Sequence, residues 1–286
     1  MLLARPPRFG RPIVKWRGVR IELYRSKREL LLKAFALARK ADVTCLGKCT
    51  STYSLTAFLA VRAAHRPLLV DLDDWDAVGG TFSFPQNKGP ITRAAATFLE
   101  EWLPLRAHAV TVASPVLAER LRWMGVDPAR VFVVSNGADP ELFNPLAAEV
   151  GGKEVKRKFG LENGFVVGLA GVMYRIGGGV DIALKAFIRV QREVSNAYLL
   201  LAGHGPAVHF VKEASRKLGV AGRVVVTGTI PHVEVPKYIG AMDVCLHPLK
   251  IRGAEVLFNA ARSNLKLYEY AACGKPIVGA DVGMVR

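Results

Sequence analysis

The sequence predicts an α/β protein with two doubly wound parallel sheets, one in each half of the chain. Short apolar runs alternate with amphipathic helical stretches, and this order is typical of parallel βαβ units. The alternation stops over residues 145–164, which are polar and charged and contain glycines, and it then starts again. The break therefore predicts two Rossmann-like domains, residues 1–145 and residues 146–286, that face each other across a cleft.

Each predicted element follows from its apolar period or from its end signals. In the first domain, helices are predicted at 27–40, 54–64, 91–103 and 114–125, and strands at 43–46, 68–71, 110–113 and 131–135. Ser114 and Pro115 begin the last of these helices as N-cap and first-turn proline, and Gly125 ends it. In the second domain, strands are predicted at 165–170, 197–202, 223–227, 244–247 and 276–279, and helices at 181–194, 206–218, 234–240 and 265–273. Ligands of such sheets bind beyond the carboxyl ends of the strands.

The composition indicates a globular protein. Hydrophobic residues make up 51% of the 286 residues and charged residues 22%, which is too apolar for a disordered chain. No apolar run approaches the roughly 20 residues needed to cross a bilayer, and the start does not resemble a secretory signal. We interpret Cys45, Cys49, Cys245 and Cys273 as reduced thiols of a cytoplasmic protein, because they form no close metal-binding pair.

The positive charge is concentrated at the start of the chain. Residues 1–40 contain twelve Lys or Arg and two Glu, a net charge of 12 − 2 = +10 out of +16 for the whole chain. We therefore expect an anionic membrane surface as a partner, with the protein peripheral on the inner face of the membrane. The alternatives are a solvated basic face or a misplaced start codon. Nucleic acid is not expected, because basic and aromatic residues do not interleave.

Several segments, in this order, resemble glycosyltransferase family 4, which has the two-domain GT-B fold. They are Val-Val-Ser-Asn-Gly-Ala-Asp at 133–139, Phe-Asn-Pro at 143–145, Gly-His-Gly-Pro at 203–206, the loop at 228–236 and the run at 263–276. The resemblance implies a retaining glycosyltransferase of the kind used in polysaccharide biosynthesis. Its donor would be a nucleotide sugar, which is a substrate, so no cofactor is expected. Its acceptor would be a hydroxyl group of a glycan, a lipid-linked sugar or a small molecule.

The same resemblance predicts that the chain is a fragment cut at both ends. Members of the family open with a strand and a glycine-rich loop, and they continue beyond the strand at 276–279. Neither segment is recognisable here. The alternative function is therefore a non-catalytic chain that retains nucleotide binding.

A first candidate donor site is the turn after the strand at 165–170. Gly177 and Gly178 would let the backbone approach an anion ahead of the next helix. The resemblance implies that Arg175 stabilises the leaving group, while Gly178 stands where relatives usually carry a lysine. A mobile loop is the alternative interpretation.

A second candidate donor site is the start of the helix at residue 265. Ser263 or Asn264 would cap this helix, and Arg262 and Lys266 place two cations near its N-terminus, where they oppose the helix dipole. A bound diphosphate would offset that repulsion, so Lys266 is predicted to stabilise the leaving group. The resemblance implies that Glu269 contacts the ribose. The alternative is a solvated basic helix end.

Further donor contacts are implied by the resemblance. Gly228, Thr229 and Ile230 would flank the base. The first glutamate of the family's usual pair is absent, so the transferred sugar would be contacted by Glu255 or Asn259.

The acceptor side is predicted at the end of the strand at 68–71. Residues 71–76 contain four aspartates, and such a cluster is costly unless it is hydrated, paired or used. By resemblance, Asp73 and Asp74 match the family's acceptor-side position and would orient or deprotonate the acceptor hydroxyl. A structural turn is the alternative. No metal site is expected, and His204, His232 and His247 are interpreted as ordinary surface or core residues because they lack ligand spacing.

Overall fold

The computed structural model describes residues 2–4, 21–76, 89–174, 179–249 and 255–283. Three predicted site residues, Arg175, Gly177 and Gly178, lie outside these ranges. The chain divides into two compact units, Met1–Val134 and Ser135–Arg286, so the division precedes the predicted boundary at residue 145.

The first unit contains a four-stranded parallel sheet in the order β3-β4-β5-β6 and a separate parallel pair, β1 and β2. Its strands are β1 Leu2–Ala4, β2 Ile21–Leu23, β3 Thr44–Gly47, β4 Leu68–Leu72, β5 Ala109–Val112 and β6 Val131–Val133. Its helices are α1 Lys27–Ala38, α2 Thr52–Ala63, α3 Pro90–Arg106 and α4 Pro115–Trp123. Ser26, Ser51 and Ser114 cap three of these helices through their hydroxyl groups, as Ser114 was predicted to do. The short pair β1 and β2 was not predicted.

The second unit contains a five-stranded parallel sheet in the order β11-β10-β7-β8-β9. Its strands are β7 Phe165–Ala170, β8 Ala197–Ala202, β9 Val224–Val226, β10 Val244–His247 and β11 Ile277–Gly279. Its helices are α5 Pro145–Phe159, α6 Val180–Glu193, α7 Val208–Lys217, α8 Val235–Gly240, α9 Glu255–Ala261 and α10 Leu265–Ala272. Two parallel-sheet α/β units confirm the predicted fold class.

Side chains of the second sheet alternate between its two faces, as successive residues of a strand must, and both faces pack in apolar clusters. The α10-side cluster includes Phe143, Val155, Val166, Ala170, Leu200, Ala202, Ile239, Cys245 and Tyr270. The α6-side clusters include Val167, Leu169, Ala183, Leu184, Phe187, Leu199, Leu201 and Leu246. Burial of both faces explains why β7 and β8 are continuous apolar runs in the sequence. None of the helices in the described ranges is long and apolar enough to span a bilayer.

The predicted linker at 145–164 is wrong, because most of it is helix α5. The Asn144 side chain caps the helix by accepting from Ala147 N at 2.9 Å, and Gly160 ends it with φ of 67°. The glycines of the segment suggested a flexible connection, but the two inside the helix, Gly151 and Gly152, allow close packing on α8. A Cβ atom on Gly152 would lie 2.5 Å from the Gly240 carbonyl carbon and 2.6 Å from its oxygen.

This packing generates a stability prediction. Gly152→Ala should lower the free energy of unfolding by about 1–3 kcal/mol, the usual cost of overpacking, although alanine favours helices. The added methyl would meet backbone atoms of α8, which cannot move aside as a side chain would. Urea unfolding should be compared with Gly222→Ala, whose added methyl would meet no atom within 4 Å. Equal stability of the two variants would contradict the close packing.

Candidate functional site

Helix α10 is held on the second sheet by a buried tyrosine. The Tyr270 side chain is fully buried, and its hydroxyl oxygen accepts a 2.8 Å hydrogen bond from the backbone N–H of Ala170. Ala170 is the last residue of β7, so this contact places α10 over the carboxyl edge of the sheet. The N-terminal turn of α10 consequently lies beyond that edge, where doubly wound sheets bind ligands.

Lys266 lies one helical turn before Tyr270, on the same face of α10. Its side chain crosses the turn that follows β7. A Cβ atom on Gly171 would lie 2.4 Å from Lys266 Cε and 2.8 Å from Nζ, and Gly171 has φ of 121°, which favours glycine. Gly171, at the start of the glycine turn, and Lys266 therefore lie together at this edge of the sheet. Arg175 and the remaining predicted glycines of the turn are outside the described ranges.

The Lys266 ammonium is electrostatically unfavourable as it stands. Burial and, to a smaller extent, the nearby Arg262 charge lower the pKa of Lys266, Glu269 raises it less than Arg262 lowers it, and the result is about 8. No ion pair joins Lys266 to a carboxylate among the described residues. A partly buried cation without a matching anion is suited to binding an anionic ligand.

His247 completes this basic cluster, although it was interpreted as an ordinary residue. It is the last residue of β10, and its side chain is only 4% exposed. Burial and then the charges of Lys266 and Arg262 lower the pKa of His247 to about 4. The ring is therefore neutral at physiological pH. The spacing of the histidines does not indicate this position, whereas its place at the carboxyl end of a predicted buried strand does.

Ser263 has a different surrounding from the one predicted. It is buried, and its hydroxyl accepts from Asn136 N at 3.0 Å and lies 3.1 Å from the Tyr268 hydroxyl. The Asn136 amide also donates to the Ser263 carbonyl at 2.6 Å. The capping prediction for Ser263 and Asn264 is wrong, because α10 has no side-chain cap hydrogen bond. The segment before α10 is instead held by Asn136, and the first N–H groups of the helix have no capping side chain.

Glu269 lies beside the loop that the resemblance assigned to the base. Its Oε1 is 3.5 Å from His232 Nε2, two residues after Ile230. Gly228 adopts φ of 80°, Thr229 is exposed, and Ile230 packs against the α10-side cluster. The structure therefore brings the predicted ribose contact close to the predicted base-flanking loop. His232, interpreted as an ordinary residue, is the contact between the two.

In the first unit, the acidic strand end is paired with a lysine. Lys48 Nζ lies 2.8 Å from Asp73 and 3.0 Å from Asp76. Although burial lowers the pKa of Lys48, its hydrogen bonds and the charges of these two carboxylates raise it above the usual range. Asp74 is partly exposed and has partners of its own. Within the described ranges, no three His, Cys, Asp or Glu side chains are placed to hold a metal ion.

The network extends into the core of the first unit. The Asp76 backbone N–H donates to the buried Glu100 at 2.7 Å, and the Arg120 guanidinium lies 4.2 Å from the Trp75 ring centroid. These contacts join the aspartate turn to α3 and α4. An acceptor role for Asp73 and Asp74 stays a prediction.

Two family models match the two units. Residues 3–137 match the glycosyl transferase 4-like domain, and residues 164–286 match the glycosyl transferases group 1 domain. A 2-deoxystreptamine glucosyltransferase of Streptomyces kanamyceticus is 30% identical over 164 residues, 55% of this chain and 41% of that protein. A GDP-mannose-dependent alpha-(1-6)-phosphatidylinositol monomannoside mannosyltransferase of Mycolicibacterium smegmatis is 31% identical over 105 residues, 37% of this chain and 27% of that protein. These matched segments cover less than half of either relative.

Solved structures share the architecture. Sucrose-phosphate synthase from Thermosynechococcus elongatus matches with a TM-score of 0.70 and 19% identity, over 99% of this chain and 71% of that chain. Anabaena HepE, solved with UDP and glucose, matches with a TM-score of 0.66 and 21% identity, over 93% of this chain and 68% of that chain. The family models, the relatives and the shared architecture agree, and the chain belongs to the family-4-like glycosyltransferases with the GT-B fold.

Proposed function

We propose that this chain transfers a sugar, with retention of anomeric configuration, from a nucleotide-sugar donor to a hydroxyl acceptor. The observation that carries the proposal is the Lys266 ammonium, which lies across the Gly171 turn with no carboxylate paired to it among the described residues. Expulsion of a nucleoside diphosphate develops negative charge on the leaving group. A preorganised cation and helix N-terminus at that point stabilise the transition state.

The nucleoside would lie next to this anion site. Glu269 is on the same face of α10 as Lys266, three residues further along, so a ribose beside the glutamate would leave its phosphates near the lysine. Binding there would bring a ribose hydroxyl into competition with His232, which is 3.5 Å from the glutamate. The loop of Gly228, Thr229 and Ile230 would then flank the base.

Two similar proteins give GDP and UDP as the candidate nucleotides of the donor. One relative is named as GDP-mannose-dependent, and HepE is solved with UDP and glucose. The acceptor is proposed as a hydroxyl of a glycan, a lipid-linked sugar or a small molecule. Retention is proposed from the family resemblance, in which the departing phosphate helps to deprotonate the acceptor on the same face of the sugar.

The direct test is transfer itself. The purified chain should be incubated with UDP-, GDP- and ADP-sugars and a panel of hydroxyl acceptors, and the released nucleoside diphosphate and the product anomer should be measured. We expect acceptor-dependent release and a product with the donor's anomeric configuration. Lys266→Ala should slow release about a hundredfold or more, as loss of a transition-state contact does. Nucleotide binding without release would favour the non-catalytic alternative, and an inverted product would contradict retention.

Lys266 should also determine how nucleotide affinity varies with pH. Lys266→Ala should lose about 1.5–3 kcal/mol of nucleoside diphosphate binding near pH 7, the range for a hydrogen bond to a charged group. Only the protonated lysine attracts the anion. Since its pKa in the free protein is about 8, affinity should fall as the pH rises from 7 to 9. Lys266→Arg, which stays protonated, should bind without this decline. Isothermal titration at several pH values measures both effects, and a parallel decline in the arginine variant would exclude Lys266 as its cause.

We also propose that α1 contacts an anionic membrane surface on the cytoplasmic side. Arg28, Leu32 and Arg39 lie along one exposed stripe of the helix and its C-cap, and Leu31 flanks it. The Leu32 side chain is 60% exposed. Exposed leucines beside arginines suit the boundary between headgroups and acyl chains, where apolar burial and charge attraction add.

Vesicle co-sedimentation tests this surface. The chain should bind vesicles that contain anionic lipid and should dissociate from them as salt screens the charges. It should not bind neutral vesicles. Leu32→Glu should weaken binding several-fold, because it removes apolar contact and adds repulsion. Leu218→Glu is the matched control, since that leucine is 51% exposed on the second unit. Equal binding by both variants would remove α1 from the interface.

A further inference from the structure

His247 lies on the face of the second sheet that α10 covers. Side chains two residues apart on a strand point to the same face, so His247 shares the face of Cys245. Cys245 packs in the α10-side cluster together with Tyr270. His247 is closer than Cys245 to the carboxyl edge of the sheet, just as Lys266 is closer to it than Tyr270. The histidine and the lysine are therefore neighbours at the site edge.

The His247 ring contains a buried polar atom that no group in the described part of the chain satisfies. Its Nε2 is fully buried and has no hydrogen-bond partner among the described residues. The backbone around it is well held, because the His247 carbonyl accepts from Leu249 N at 3.1 Å and from Ala280 N at 3.2 Å. Leaving a buried polar atom unsatisfied costs about 1–3 kcal/mol, so such an atom needs an explanation.

The surrounding charges indicate which ligand atom this nitrogen would meet. Burial, and after it the charges of Lys266 and Arg262, lowers the pKa of His247 and keeps the ring neutral. A neutral imidazole has one N–H donor, and two adjacent cations draw an anion to the same place. Donation from Nε2 to an anionic oxygen would satisfy the buried atom without adding a third positive charge.

We propose that His247 is a binding residue for the donor diphosphate, and that its Nε2–H donates a hydrogen bond to a phosphate oxygen beside Lys266. This inference rests on the proposed nucleotide-sugar site and extends it by one residue. The two cations supply attraction, and the neutral donor gives direction, because a hydrogen bond weakens steeply when it is misaligned. The histidine would therefore help to determine where the diphosphate lies relative to the Gly171 turn.

Two replacements of His247 separate a ligand contact from a packing role. His247→Leu removes the donor and fills the buried space with an apolar side chain, so thermal stability without nucleotide should stay the same or rise. Affinity for the nucleoside diphosphate that binds best among UDP, GDP and ADP should fall about tenfold or more, the size of a hydrogen bond to a charged group. His247→Gln, whose amide can donate from a similar position, should keep most of the affinity. His209→Leu, at an exposed position on α7, is the control and should change neither property.

The outcomes distinguish this inference from the function on which it rests. Lower affinity with unchanged or higher stability in His247→Leu, and recovery of affinity in His247→Gln, would support the contact. Unchanged affinity in His247→Leu beside weakened binding in Lys266→Ala would overturn the His247 contact alone. A parallel loss of stability and affinity would overturn it as well, since that result indicates packing. Failure of the unaltered chain to bind any of the three nucleotides would overturn both proposals.

Discussion

The hydrogen bond between Tyr270 and the backbone of Ala170 is the contact on which the candidate site depends. It fastens a short helix to the last residue of the central strand β7, inside a fully packed cluster. Because a helix is rigid over one turn, fixing Tyr270 also fixes Lys266 above the turn that follows the strand. A shift of α10 would move the cation away from the Gly171 backbone and separate the two parts of the anion site.

Without a bound anion, this arrangement is electrostatically unfavourable. Burial and like charge lower the pKa values of both Lys266 and His247. Both shifts have the same sign, because each group would be easier to protonate in the unfolded chain. The free energy of unfolding should therefore decrease as the pH falls from about 6.5 toward 4, where His247 takes up a proton more readily in the unfolded chain. It should increase as the pH rises above 8, where Lys266 loses its proton first in the folded protein. An anion bound beside Lys266 would offset the unfavourable environment of that charge.

The two units use polar contacts in different ways. In the first unit, Lys48 is matched by Asp73 and Asp76, so the charges around β4 are largely paired. In the second unit, Lys266 and His247 have no such partners among the described residues. Paired charges hold a turn in place, whereas an unpaired cation and an unsatisfied ring nitrogen are suited to an anionic ligand. This contrast favours the carboxyl edge of β7 and β10 as the anion site of the proposed function.

The sequence by itself determined the order of strands and helices, because apolar period and end signals are local properties of a chain. The strands at 165–170, 197–202 and 244–247 occur at the predicted bounds, and Lys266 and Glu269 share a helix face by spacing alone. Only the tertiary structure decided that Gly152 belongs to a helix, since the glycine is explained by the backbone of α8 against it. The same holds for Ser263 and His247. Their roles depend on Asn136, Lys266 and burial, which involve residues or strands distant in sequence, and no local pattern contains that information.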